Sequence, residues 1–375
     1  MKKMASTDGS EVPNGASSKH KQAPNAMSAG DGPDSYIRNS SYQGGLGDVT
    51  RPIIKDIIAT NLDVFSTNPN NTICIADFGC STGGNSFPTM QVIAQAIKKK
   101  LESYSSTPEF FVFFNDTVVN DFNTLFGSLP LDRLYHAVGV PGDFHGRLLP
   151  RSSLHFVHSS CSLQWLTEVP RAVVDRDSAA WNGGRAWYTR ETKEVYDAYV
   201  DQYSRDLNSF LEARAVEMVP GGLMALLVPG EPEFCNTETE YTVHTCYHIL
   251  GSCIVDMARK GRLSEAKVDS FNFPFCFATL QQMNAIFESN QSFSIERMEI
   301  LNNPGMHTIS DPGTCAAGLR AVTGSLLTNH FGIELILDEL FQLVTKKLEV
   351  LPSFGNTDND KTIMVLAVLK RKMDC

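Results

Sequence analysis

Short apolar runs alternate with stretches of helical period along this chain. The first run, Ile73-Cys74-Ile75-Ala76-Asp77-Phe78, breaks into Gly79-Cys80-Ser81-Thr82-Gly83-Gly84-Asn85, and a helical pattern follows from Ser86 to Leu101. A buried strand, a glycine-bearing turn and a helix in that order open a nucleotide-binding α/β unit. A second run, Phe110 to Phe114, ends in Asn115-Asp116 and reads as the second strand, and another strand is expected at Ser153 to Val157. From Glu194 to Val219, Val195, Tyr199, Tyr203, Leu207, Phe210 and Leu211 recur at three- and four-residue steps, the mark of one long amphipathic helix. Gly221-Gly222 is expected to end it. Leu223 to Val228 then reads as a buried strand that Pro229-Gly230 breaks, and Glu231 to Glu240 as a loop. Tyr241 to Lys260 and much of Gly313 to Val350 read as helices capping the sheet's ligand edge, while Phe293 to Leu301 and Thr362 to Leu369 supply the last two strands. Ahead of the first run, Thr50-Arg51-Pro52 fits the start of a helix through Ile53, Ile54, Ile57, Ile58 and Leu62, with proline in its first turn. The polar stretch Asp34 to Gln43 before it is rich in hydrogen-bonding side chains, as a solvated cap or a ligand-facing segment would be.

These elements divide the chain into an arm (residues 1–32), an α/β core (33–230), a mainly helical cap with a returning strand near 292–301 (231–361), and a last strand with its tail (362–375). The arm has almost no large apolar side chains and is expected to be disordered.

The turn says what kind of ligand to expect. Gly79 and Gly83 let backbone approach a ligand with no Cβ in the way. An acidic residue at the tip of the second strand can accept hydrogen bonds from ribose hydroxyls, which suits Asp116; capping the next segment is the other use of such a residue. The spacing is not GxGxxG and no lysine stands ready to grip a phosphate. A turn of this kind suits S-adenosylmethionine, which has no phosphate, better than a nucleoside triphosphate or NAD.

Composition narrows the partners. The formal net charge of −10 and pI near 5.4 argue against nucleic acid and an anionic membrane surface, leaving small molecules. The nine cysteines form no CxxC pair and no metal-like spacing with histidine, a pattern that fits reduced thiols in the cytoplasm. Neither a signal-peptide core nor an apolar run of spanning length is present. His136, His145, His155, His244, His248, His307 and His330 lack a Ser or Cys plus acidic partner at triad spacing, and read as surface or core residues.

A longer series of markers runs through the chain: Ser35-Tyr36 with Asn39-Ser40 and Gln43; Ala76-Asp77-Phe78-Gly79-Cys80-Ser81; Phe114-Asn115-Asp116 with Asn120-Asp121-Phe122-Asn123; Gly139-Val140-Pro141-Gly142; His158-Ser159-Ser160 with Leu163 and Trp165; and Asp269-Ser270-Phe271-Asn272. In these the sequence resembles the plant SABATH methyltransferases, a family that makes methyl esters of salicylic, jasmonic and related acids and N-methylates xanthines. The resemblance implies a class I methyltransferase fold, α/β with a mixed Rossmann-like sheet and an α-helical cap, and often a homodimer. It places S-adenosylmethionine against Tyr36, Ser40, Asp77, Cys80, Asn85 and Asp116, with Thr117, Asp143 and Phe144 near the adenine. It lines the acceptor pocket with Gln43, Cys161, Gln164, Trp165, Cys246, Tyr247, Leu319 and Val322, Gln43 and Trp165 clamping the carboxylate. It also matches Asn182, Asp269, Phe271 and Asn272 to a structural Mg2+ site, oxygen donors such as a hard cation prefers.

Several positions depart from the family pattern: Thr117 stands where leucine is usual, Asp143 where serine is, Cys161 where tyrosine is, Gln164 where histidine is, and Ser28 where a lysine is common. Gln164 also resembles xanthine- and anthranilate-methylating members, and Ser28, Cys161 and Asp143 together would suit a non-catalytic cofactor-binding scaffold. The chemistry itself asks for little. A carboxylic acid of pKa about 4 is ionised at neutral pH and needs no general base, so the site's task is alignment and the catalytic acid/base list is empty.

Overall fold

In the computed structural model, residues 26–63, 72–102, 108–235, 239–305, 308–309, 311–332, 334–356 and 358–373 are described. Most of the arm, with His307 and Cys375, lies outside them.

Seven strands form one sheet: β1 Thr72–Phe78, β2 Glu109–Asp116, β3 Tyr135–Pro141, β4 Leu154–Ser160, β5 Met218–Gly230, β6 Phe293–Asn302 and β7 Ile363–Arg371, in the order β3-β2-β1-β4-β5-β7-β6. β1 pairs in parallel with β2 and β4, β2 with β3, and β4 with β5, whereas β7 is antiparallel to both β5 and β6. The order reverses between β1 and β4, which places a crevice beyond their carboxyl ends, where ligands bind in such sheets.

The helices are α1 Tyr36–Asn39, α2 Ser41–Asn61, α3 Ser86–Glu102, α4 Phe122–Gly127, α5 Arg171–Val174, α6 Lys193–Glu217, α7 Val243–Arg259, α8 Glu265–Asp269, α9 Leu280–Ser289, α10 Pro312–Phe331 and α11 Glu334–Glu349. Side chains alternate across the sheet, so that one face of β1 and β5 (Ile73, Ile75, Leu223, Ala225) packs with Ile54, Ile57 and Ile58 of α2 and Met90, Ile93 and Ile97 of α3. The other face (Ala76, Phe78, Met224, Leu226, Val228) packs with Tyr199, Tyr203, Leu207 and Phe210 of α6 and runs on into α7, α10 and α11. Burial on both faces is why these strands read as continuous apolar runs.

Two boundaries differ from expectation. The helix expected to begin at Thr50-Arg51-Pro52 is α2, which starts at Ser41 and holds Pro52 in its interior. Gly44, Gly45 and Gly47 weaken the local helix signal, but Leu46 is fully buried and Gly44 brings its backbone so close to Asn85 that a Cβ would stand 3.1 Å from Oδ1. Tertiary contact overrides propensity there. Similarly, α6 ends at Glu217 and β5 already includes Gly221-Gly222 and Pro229-Gly230, because the edge partners Met364 and Ile363 of β7 continue the ladder to its last residues. Gly221 takes a φ of +79° within that strand.

Candidate active site

The turn after β1 is held from beneath by the neighbouring strand: the amides of Gly79 and Cys80 both donate to Asn115 O, at 2.9 and 3.0 Å. Gly79 has a φ of +85°, and a Cβ there would stand 1.9 Å from Ser162 Oγ, so only glycine fits between the turn and the chain after β4. Ser81, a non-glycine residue at φ +48°, aims its amide at Asp116 Oδ2, 2.8 Å away. Asp116 Oδ1 accepts from the Thr117 amide at 2.8 Å. Burial nonetheless wins over these two hydrogen bonds and pushes the Asp116 carboxyl up to about 6.

Tyr36, Ser40, Asp77, Cys80 and Asn85 face one another around a cavity of about 570 Å³, together with Gln43, Ser81, His158 and Ser160. Asn85 Nδ2 donates to Ser40 Oγ at 3.0 Å, tying the residue that opens α2 to the turn. Asp77 Oδ1 lies 2.7 Å from His158 Nδ1 in a buried pair, and Asp77 Oδ2 is buried with no hydrogen-bond partner. An unmet carboxylate oxygen fits a ligand bearing an ammonium and a sulfonium. His158 was a marker in the sequence with no role attached; its signal was the strand-end position shared with Ser160.

Asp116, Thr117, Asp143 and Phe144 are not part of that lining. They continue the crevice over the ends of β2 and β3, where Gly142 N donates to Asp116 O at 2.9 Å. The Asp143 carboxylate Oδ1 accepts from the His145 amide at 3.0 Å and lies 2.8 Å from its Nδ1. The Phe144 ring packs edge-on against Phe210, centroids 6.0 Å apart.

A second cavity, of about 1010 Å³, lies between the sheet edge and the cap. Gln43, Cys161, Gln164, Cys246, Tyr247, Leu319 and Val322 all line it, joined by Tyr42, Tyr241, Asn303, Cys315, Phe354 and Met364, which sequence reasoning did not single out. Tyr42 stood within the polar stretch ahead of α2 and was the one legible omission; the rest arrive from distant segments. Among the described residues, none that lines it carries a charged side chain. Cys161 sits at φ +54°, its thiol pushed up to about 12 by burial, so it presents a neutral thiol. Gln164 Nε2 donates to Cys161 O at 2.7 Å. Trp165 does not line this cavity: it bridges to Phe275, with the two rings edge-to-face at 4.1 Å, and packs against the cap core. The carboxylate clamp expected of Gln43 and Trp165 therefore has only Gln43 at the cavity wall.

Of the four magnesium candidates, Asn182 and Asn272 pair with each other, while Asp269 bonds to neighbouring donors. Asn182 Nδ2 donates to Asn272 Oδ1 at 2.7 Å, Gly184 N donates to Asp269 Oδ1 at 2.9 Å, and Arg176 Nη2 lies 2.9 Å from Asp269 Oδ2. The Phe271 ring is buried against Phe273 and Phe331. Asn272 Oδ1 and both Asp269 oxygens are thus engaged by protein donors, one of them a guanidinium. Among the described residues no cluster of three or more His, Cys, Asp or Glu could hold a metal, and no helix is long and apolar enough to cross a membrane.

A doubly wound sheet with one antiparallel strand, β7, next to its edge, a glycine turn and acidic tip at its switch point, and a helical cap over a second cavity define a class I methyltransferase. A family model described as SAM dependent carboxyl methyltransferase matches residues 22–372. Loganic acid O-methyltransferase of Catharanthus roseus is 40% identical over 349 residues, covering 92% of this chain and 94% of that one. Paraxanthine methyltransferase 2 of Arabidopsis thaliana is 37% identical over 327 residues, covering 86% and 91%. The solved structure of loganic acid methyltransferase with SAH (S-adenosylhomocysteine) matches at a TM-score of 0.88 and 40% identity, over 93% of this chain and 99% of that one. The chain belongs to the S-adenosylmethionine-dependent carboxyl methyltransferases, the family to which the SABATH markers pointed.

Proposed function

We propose that this protein forms the methyl ester of a small plant carboxylic acid whose remainder carries no charge, with Gln43 aligning the acid. One observation carries the reading: Gln43 lines both cavities, so its side chain stands where cofactor and acceptor meet. When bound, S-adenosylmethionine supplies an electrophilic methyl on sulfur. Asp77 and Tyr36 with Ser40 and Asn85, from the 570 Å³ cavity, hold its amino-acid end; along the crevice beyond that cavity, Asp116 holds the ribose, and Phe144 and Asp143 the adenine. The Gln43 amide donates to one carboxylate oxygen and leaves a lone pair of the other free to attack. Apolar walls such as Leu319, Val322 and Met364 exclude water. Near-attack alignment at about 3 Å is then the main source of acceleration. Free thiols among the described cysteines suit a reducing compartment such as the cytosol.

A second reading, N-methylation of a xanthine-like heterocycle, is supported by Gln164 at the cavity wall and by the paraxanthine relative. The test is transfer of label from S-adenosylmethionine to a panel of plant acids and xanthines, followed by alkaline hydrolysis. Label released as methanol is expected and marks an ester. Label that resists hydrolysis would replace the ester reading with N-methylation. SAH binding without transfer to any acceptor would point to a scaffold.

A further inference from the structure

Arg214 and Glu217 of α6 are both fully buried, an arrangement that costs desolvation and calls for a purpose. Arg214 Nε lies 2.8 Å from Glu217 Oε2. The pair spends its remaining atoms on one segment, the chain between β3 and β4. Arg214 Nη1 donates to Phe144 O at 2.8 Å and Nη2 to Gly146 O at 2.9 Å. Glu217 Oε1 accepts from the amides of Leu148 and Leu149, at 2.5 and 2.8 Å. The guanidinium also stacks on Phe78, 4.1 Å from the ring centroid, and on Phe210 at 4.9 Å. Phe78 is the last residue of β1, immediately before the Gly79 turn, and Phe210 is the ring against which Phe144 packs.

From this geometry we infer that Arg214 and Glu217 are positioning residues for the cofactor, a buried ion pair that sets the adenine-bearing loop 143–149 in register with the turn after β1. The inference rests on the assignment of Phe144 and Asp143 to the adenine. The two loop carbonyls and two loop amides would otherwise be satisfied by water, since Gly146 and Arg147 are exposed, and the loop would be free to sample other conformations. Only a planar, forked donor serves two carbonyls and an aromatic face at once. The pair touches neither cofactor nor acceptor, so it acts on how well the loop is organised before binding.

The test replaces both charges together, because removing one would strand the other in the core. Arg214→Met/Glu217→Leu should fold with a Tm near the parent's, yet bind both SAH and adenosine about tenfold or more weakly, with the same factor for each. KM for S-adenosylmethionine should rise while kcat at saturation and KM for the acceptor stay close to the parent's. A folded double variant that binds adenosine as the parent does would overturn the inference. Should the double variant not fold, Arg214→Lys keeps the charge against Glu217 but cannot span both carbonyls. It should weaken adenosine binding, and unchanged binding would overturn the inference equally. Phe144→Ala separates the two levels: if it leaves adenosine binding intact while the parent binds SAH, the adenine assignment falls rather than the clamp.

Discussion

Asp116 sits where burial and function pull in opposite directions. The Ser81 and Thr117 amides and the expected ribose hydroxyls all favour its carboxylate, while burial favours the neutral acid and holds its pKa at about 6. A raised acid takes up a proton on folding, so this group alone lowers stability as pH rises from the ordinary carboxylate range through about 6. Cofactor binding has the opposite sign, since the ribose hydroxyls that S-adenosylmethionine and SAH share donate to the charged form. SAH affinity is therefore expected to climb between pH 5 and 7 and level off above, with proton release near pH 6 visible by calorimetry in buffers of different ionisation enthalpy. Asp116→Asn should remove the pH dependence and weaken binding about tenfold. A flat affinity profile in the parent would show that Asp116 does not face the ribose. How legible the site was depends on how local each contact is. The glycine turn and Asp116 lie at the tips of adjacent strands, and local pattern singled them out; Asp77, Cys80 and Asn85, although in the same strand–turn–helix, were named through the family resemblance. The contact of Trp165 with Phe275, by contrast, joins segments more than a hundred residues apart, which no local pattern reveals.

At the scale of elements, the central strands β1, β4, β5 and β7 were legible as apolar runs because both their faces are buried, and of the two edge strands β6 was read and β3 was not. β3 was missed because it lies at the sheet edge, with His136 exposed and only Tyr135 fully buried, so no continuous apolar run marks it. α9 was missed for its brevity, although Thr279 and Gln282 form a capping box that can be read directly from the sequence. α2 was read too short because three glycines and a proline argue against helix, and packing of Leu46 and Thr50 overrules them. Pro52 offers a check on that account. It lies in the interior of a helix of 21 residues, where it cannot donate to the carbonyl of Asp48 and crowds it. Its ring is exposed, so little packing would be lost on replacement. Pro52→Ala should stabilise the protein by about 1–2 kcal/mol, the regained hydrogen bond and relief of crowding being offset by the freer unfolded chain. The measurement is the urea midpoint with the slope unchanged. A lower midpoint would mean that the proline bend is needed to seat the first half of α2, Gln43 included, on the sheet.

The whole molecule carries a formal charge of −10, and the proposed acceptor is an anion, a combination that the cavities must accommodate. Sequence composition suggested a small-molecule partner; it could not show that the acceptor cavity, assembled from the first half of α2, the ends of β4, β5 and β7, and the cap helices α7 and α10, would have no charged side chain among the described residues of its wall. That neutrality selects the substrate. The reacting carboxylate meets a sulfonium across the site, so its charge is paired at once and vanishes with methyl transfer. A second carboxylate carried into the cavity would meet only amides, hydroxyls, thiols and apolar surface, and would lose its hydration with no cation in return. The cleanest comparison is a dicarboxylic acid long enough to bury its far end and its half-ester, which have nearly the same shape and differ by one charge. The half-ester should be turned over with a kcat/KM at least about a hundredfold higher, equivalent to about 3 kcal/mol. Lowering the pH toward the pKa of the far carboxyl should narrow the gap as that group is neutralised. Equal turnover of the two at neutral pH would mean either that the cavity opens to water at its far end or that a cation outside the lining reaches in, and the neutral cavity would no longer define the substrate class.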